Sequence, residues 1–297
     1  SDSAIDAGGR GYLAGRTHPN TTNGASTYRS GGSYGGLGGN YPSGRVNAPY
    51  GDFRNPNEPG SGAYLYGAGG GNRAGGGLVR IVTGSLELEG AIRANGQDGD
   101  YGRGSGGGIY LEVGRLSGGG IVEAVGGRNT ASVSSSFGGG GGGGRIAIYY
   151  DELDGFDLSN RVSAAGGKGE NTSSYDGATG TVYLEKAGGT GELIIDRKTG
   201  GGGTSWIWMP EGAATYAGDL RISGAMVVEQ RSANFMPTNL YLVNGAVLKH
   251  PACTTASAYS LNLIVPGRFC ISSDSAIDAG GRGYLAGRTH PNTTNGA

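Results

Sequence analysis

The side chains able to do chemistry in this chain are few, and they fall in small groups. Asp151, Glu152, Asp154 and Asp157 come just after the apolar run that ends at Tyr150. Paired carboxylates can serve as acid and base or nucleophile at a glycosidic bond, so these four are the candidates for a polysaccharide-acting site. Carboxylates adjacent in sequence at a strand end are more commonly a solvated loop, and the chain is read as not an enzyme. Asn95-Gly96-Gln97-Asp98-Gly99-Asp100 puts oxygen ligands on a glycine turn, which makes Asp98 and Asp100 calcium candidates. No glutamate completes that set at EF-hand spacing, and a solvated turn competes with it; no other cofactor is expected. Trp206-Ile207-Trp208 would place both indoles on one face of a strand. Exposed, Trp206 and Trp208 are glycan-contact candidates; buried, they are packing anchors.

Cys253 and Cys270 lie 17 residues apart, with no His or Cys near them at zinc spacing. They are read as a disulfide, with two buried thiols as the alternative. A bridge needs Cα atoms within ~6 Å of each other and would argue for an oxidising, extracellular setting. His18, His250 and His290 each precede proline, a turn signal, and nothing has the form of a Ser-His-Asp or Cys-His arrangement. Asn20-Thr21-Thr22 and Asn171-Thr172-Ser173 match the N-glycosylation pattern, which matters in a secreted protein.

The elements that must carry these residues are set by repetition. Residues 1–25, SDSAIDAGGRGYLAGRTHPNTTNGA, recur without change at 273–297, an offset of 272. Residues 1–272 therefore read as one unit of a tandem array, and 273–297 as the start of the next. Inside the repeated segment Ile5, Ala7 and Gly9 (Ile277, Ala279 and Gly281 in the second copy) form an I-x-A-x-G motif. These six residues are the expected seam between units. The motif returns from Ile92, and with valine first from Val122 and Val162. Each occurrence alternates like a short strand and runs into a glycine turn.

From Gly75 to about 205 glycine tracts alternate with strands, as in GGG-LVRIV and GGG-IYLEV, at intervals of roughly 31 to 37 residues. Over 206–272 the interval shortens: Leu220, Leu240 and Leu261 open apolar alternations 20 and 21 residues apart. Residues 26–74 differ, being rich in Gly and Tyr, with Pro42, Pro49, Pro56 and Pro59 blocking helix and central strand. That stretch is expected to be an ordered excursion packed on the scaffold or on a neighbouring chain, bracing or decorating the outside, with a flexible linker as the alternative. No window carries a helical apolar stripe free of glycine, so the chain is expected to be all-β.

Glycine supplies 67 of 297 residues, roughly three times ordinary usage, yet without the three-residue period of collagen. The formal net charge of −1 gives no electrostatic case for nucleic acid, and no apolar run approaches the ~20 residues of a membrane span. The absence of a signal peptide and of an initiator Met suggests processing upstream.

At Gly138–Tyr150, at SGGGIYLEVGRLSGGGIVEAVGGRN and at LYLVNGAVLKH the chain resembles glycine-rich β-helical repeats of large bacterial surface and secreted proteins. The resemblance spans Gly75–Ser272 and the I-x-A-x-G segment. It implies a glycine-rich parallel β-solenoid, with a β-sandwich assembled head to tail as the alternative. It also implies a structural repeat of an extracellular filament or cell-surface fibre that polymerises by end-to-end continuation of β-structure. An adhesin or glycan-binding module is the second expectation, so the expected partners are other copies of the unit and, second, glycans. About nine rungs at ~4.8 Å each would give an axial repeat of ~40–50 Å.

Overall fold

The computed structural model describes residues 3–65, 73–130, 138–169, 175–208, 215–232 and 235–294. Each I-x-A-x-G motif becomes a short strand: β1 (Ala4–Asp6), β3 (Ala91–Arg93), β5 (Ile121–Glu123) and β7 (Val162–Ser163) stack in that order as a parallel sheet. Before β3, β5 and β7 comes a ten-residue strand: β2 (Leu78–Glu87), β4 (Gly108–Ser117) or β6 (Arg145–Asp154). The turn from β4 to β5 needs a left-handed residue, which Gly118 supplies at φ 99°. Between β6 and β7 a four-residue helix, α1 (Leu158–Arg161), is capped by the Asp157 carboxylate, which accepts from the Ser159 and Asn160 amides.

β8 (Thr181–Lys186) extends the long sheet in parallel, and then the direction reverses. β9 (Glu192–Asp196) pairs antiparallel with β8, and β11 (Asp219–Ser223), β13 (Leu240–Val243) and β15 (Phe269–Ile271) stack on from β9 in parallel. The long sheet thus has eight strands, with β15 and β2 at its edges. A third sheet stacks β10 (Ser205–Ile207), β12 (Val227–Gln230), β14 (Val247–Lys249) and β16 (Ala276–Ile277) in parallel.

The reversal moves the core to the other side of the long sheet. Successive strand residues point to opposite faces, and β8 is apolar on both. Val182 joins a cluster with Ile92, Ile109, Ile146 and Val162, while Tyr183 joins another with Leu193, Leu220, Val228 and Leu248. Tyr110 and Tyr149, on the faces of β4 and β6 turned away from the first cluster, pack against the second. One sheet therefore separates two cores.

This corrects the expected solenoid. A solenoid winds around one core, whereas here the second half of the chain winds on the opposite face after the β8–β9 reversal, giving three sheets of mixed and parallel pairing. The sandwich alternative is corrected too, because among the described residues every strand pair except β8–β9 is parallel. The described part of 26–74 packs on the strands and lies inside the fold rather than decorating its outside. Residues 30–36 are buried, as are Phe53 and Ala63.

That stretch joins a layer with neither helix nor strand, whose glycine amides bond between neighbouring segments: Gly39 N to Gly140 O at 2.7 Å, Gly142 N to Gly32 O at 2.9 Å, Gly106 N to Gly142 O at 2.9 Å. Extended chains without internal hydrogen bonds must find partners in their neighbours. They reach them only because no side chain intervenes. A methyl group on Gly143 would stand 2.5 Å from the Gly180 nitrogen. Arg145, fully buried, pins this layer to the strands. Its Nε donates to Tyr50 O at 2.9 Å, its Nη1 to Thr181 Oγ1 at 3.2 Å, and its guanidinium lies 5.5 Å from the Tyr34 ring centroid.

Candidate functional site

The two copies of the repeated segment have the same local conformation. Thr17 and Thr21 exchange backbone hydrogen bonds of 2.9 Å, as Thr289 and Thr293 do at 3.0 Å. Arg16 Nη1 donates to Asn20 O at 2.7 Å, and Arg288 Nη1 to Asn292 O at 2.5 Å. Asn20 and Asn292 are both left-handed, at φ 64° and 70°. The two copies differ in their neighbours.

The first copy packs on strands C-terminal to it. β1 pairs with β3 with Ile5 opposite Ile92. Ser3 O accepts from Ala91 N, Ala7 N donates to Arg93 O at 2.8 Å, and Gly9 N donates to Asn95 O at 3.0 Å. Odd-numbered residues thus face β3. Tyr12 Oη lies 3.3 Å from a Glu58 oxygen, and His18 Nδ1 lies 3.0 Å from that same oxygen with its ring stacked on Tyr50. Burial, then the Glu58 carboxylate, pushes the Tyr12 phenol up to about 12.

The second copy packs on strands N-terminal to it. β16 pairs with β14 with Ile277 opposite Leu248. Ala276 N donates to Ala246 O at 2.9 Å and Asp278 N to Leu248 O at 3.0 Å, so here the even-numbered residues face the neighbour. Asp278 pairs with Lys249 at 2.8 Å, and Arg282 Nη1 reaches Glu229 at 2.7 Å and His250 O at 3.0 Å. The Lys249 ammonium and the Gly280 amide hold the Asp278 carboxyl below its usual range.

Each copy leaves open the groups that the other uses. Arg10 is exposed while its twin Arg282 is bound; Tyr284 is 41% exposed while its twin Tyr12 holds Glu58. A methyl group on Gly11 would collide with the Gly75 and Gly76 backbone, whereas one on its twin Gly283 meets nothing within 4 Å. Ala279 and Gly281 likewise make none of the cross-strand bonds of Ala7 and Gly9; Ala279 O accepts only the local Arg282 N. Ile5 and Ile277 both remain exposed, at 50% and 38%.

The other candidates are not brought together. Asp151, Glu152 and Asp154 lie exposed along the end of β6; Asp154 pairs with Arg115 and Asp157 caps α1. Hydrogen bonds from Ser159 and Asn160 hold the Asp157 carboxyl down at about 2. Asp98 accepts from Arg128 N at 2.8 Å and faces its guanidinium, the Asp100 carbonyl accepts from Arg73, and no metal-binding cluster occurs among the described residues. Trp206 and Trp208 are half-buried on the side of β10 opposite the core residue Ile207. The Arg231 guanidinium covers the Trp206 ring at 3.6 Å and also pairs with Glu229.

The expected disulfide is corrected: Cys253 and Cys270 are free. Cys253 is buried beyond β14 with its sulfur accepting from Tyr259 N, while Cys270 belongs to the edge strand β15 opposite Tyr241. Asn20 is exposed, and Asn171–Ser173 lies outside the described residues. A cavity of about 670 Å³ lined by Tyr150, Leu184, Ile194 and Lys198 opens beside the β8–β9 reversal. Lys198 is engaged there, donating to Ser159 O and Val162 O.

Among the described residues no helix is long and apolar enough to cross a membrane. Sequence reading missed the residues that receive the repeated segment, Glu58, Lys249 and Glu229. Each is a single charge with no motif around it, and only the tertiary fold brings it to the segment. Compared with protein-family models, curated proteins and solved structures, the chain matches none.

Proposed function

We propose that this chain is a structural repeat of an extracellular filament or cell-surface fibre in which units add end to end by continuing their β-sheets. One observation carries the reading: the same dipeptide forms the edge strand of two different sheets and bonds through opposite backbone edges, Ile5 toward β3 and Ala276 toward β14. A single copy of the segment has a free alternation of N–H and C=O groups for each side and so accommodates both neighbours at once. Uncovered sheet edges invite such pairing. The interface is heterologous and does not close on itself, which leads to a fibre. One copy of the segment serves each junction, whether units are joined covalently at a period of 272 residues or by strand exchange.

Eight strands per unit at ~4.8 Å give an axial advance of ~38 Å. Electron microscopy of the purified chain and of native material tests this: thin filaments with that period are expected, and dispersed compact particles would overturn the proposal. The cell-surface location rests on the resemblance of the glycine-rich strand repeats. Antibody labelling of intact cells checks it.

A further inference from the structure

We infer that the eight-stranded sheet is continuous across the same junction, with β15 of one unit parallel to β2 of the next and Cys270 directly opposite Ser85. The inference rests on the filament reading and specifies the surface and register through which a second copy of this chain binds.

Apolar residues on the long sheet and on the short strand after it are six positions apart in several rungs: Leu86 and Ile92, Leu116 and Val122, Ile222 and Val228, Leu242 and Leu248, Ile271 and Ile277. β14 and β16 pair at the same offset as β13 and β15, Val247 opposite Ala276 and Leu240 opposite Phe269. A turn of this six-residue spacing therefore carries register from one sheet to the other, whereas the longer β6–β7 connection through α1 does not, Leu153 standing opposite Leu116 but Val162 opposite Val122. When Ile277 takes the place of Ile5 it meets Ile92 of the next unit. Six residues upstream on each chain, Ile271 then meets Leu86, and Cys270 meets Ser85.

Apolar exposure and backbone alternation both agree with this register. Phe269 and Ile271 are 43% and 44% exposed, although their partners Leu240 and Leu242 are wholly buried. Leu86 is half-buried above the wholly buried Leu116. Stacking Ile271 on Leu86 makes one aliphatic column of these and joins the second core of one unit to the first core of the next. Ser272 N donates to Leu242 O and Arg268 O accepts from Leu240 N, so even-numbered residues of β15 face inward and Ile271 faces out. On β2, Leu88 N donates to Ser117 O, which leaves Ser85 and Glu87 facing out. Ile271 N–H then points at Ser85 C=O, and Ile271 C=O at Glu87 N–H, the parallel pattern. Cys270 and Ser85 share the face away from the joined core.

The test is Ser85→Cys in the full chain, oxidised mildly after assembly and run on a non-reducing gel, with filaments counted by electron microscopy in parallel. Directly opposed strand residues lie within the ~4.4–6.8 Å Cα range of a disulfide. A ladder of covalent multimers is expected, lost on reduction and lost when Cys270→Ala is added. Ser85 is exposed, so the substitution leaves the unit folded. Filaments without a ladder overturn the inference and leave the filament reading standing. A ladder with Gly84→Cys or Leu86→Cys in place of Ser85→Cys overturns the register. Neither filaments nor ladder overturns both.

Discussion

Asp278 lies 2.8 Å from the Lys249 ammonium, while its twin Asp6 accepts from the nearby Gly8 amide and makes no ion pair among the described residues. The repeated segment therefore carries a charge whose partner belongs to the unit before it. The Asp278 carboxyl is held below its usual value of 3.8, chiefly by the Lys249 hydrogen bond and then by the Gly280 amide. A carboxyl depressed in the docked state stabilises docking fully above its free pKa and loses that contribution as pH falls through the lower, docked value. Filament assembly monitored by light scattering is expected to hold from neutrality to about pH 4 and to weaken below it. Asp278→Asn should assemble less well at neutral pH and show a shallower acid loss.

Assembly should depend on the isoleucine of the seam. Ile5 and Ile277 are exposed in the isolated unit, so charge there leaves its fold nearly untouched, within about ±0.5 kcal/mol. In a junction the same side chain is sandwiched between Leu248 and Ile92. The double substitution Ile5→Asp with Ile277→Asp is expected to abolish filaments by electron microscopy while the thermal midpoint of the unit stays within a few degrees.

The glycine layer predicts a contrast between two glycines. Gly143→Ala forces a methyl group against the Ala164 carbonyl and the Gly180 nitrogen, and backbone on both sides leaves little room to yield. Overpacking of this kind costs about 1–3 kcal/mol or more. Gly84 has nothing within 4 Å of an added methyl group, so Gly84→Ala should shift stability by less than about 0.5 kcal/mol. Urea unfolding of the two variants checks both values.

Arg145→Ala should be among the costliest single changes. It strips the Tyr50 carbonyl and the Thr181 hydroxyl of a charged donor inside the fold. Each such buried group left unsatisfied costs about 1–3 kcal/mol, and loss of several kcal/mol in chemical denaturation is expected.

The strands were legible in the sequence where side chains alternate. Ile109, Leu111 and Val113 mark β4, and the I-x-A-x-G motifs mark β1, β3, β5 and β7, because period-2 burial leaves a period-2 record. The repeated segment was legible for a different reason, exact repetition. The change of core was not, since Val182 and Tyr183 are both apolar and nothing in their types says that they serve different clusters. Nor was the burial of residues 30–36, where backbone amides make the contacts and glycine leaves no side-chain pattern to read. The cysteines illustrate a third limit: their separation along the chain says nothing of the edge strand and buried loop that hold them apart.

The single antiparallel pair, β8 with β9, has a consequence for the shape of a fibre. Each unit reverses strand direction once and swaps its packed side once. Turning a body by half a revolution about the fibre axis does both of these things together. In the proposed filament, successive units joined through the repeated segment would be related by about half a turn, before the twist of the sheet is added. Mass in that filament would lie alternately left and right of the central sheet, so neither side would favour a curl. A fibre built of such units would run straight.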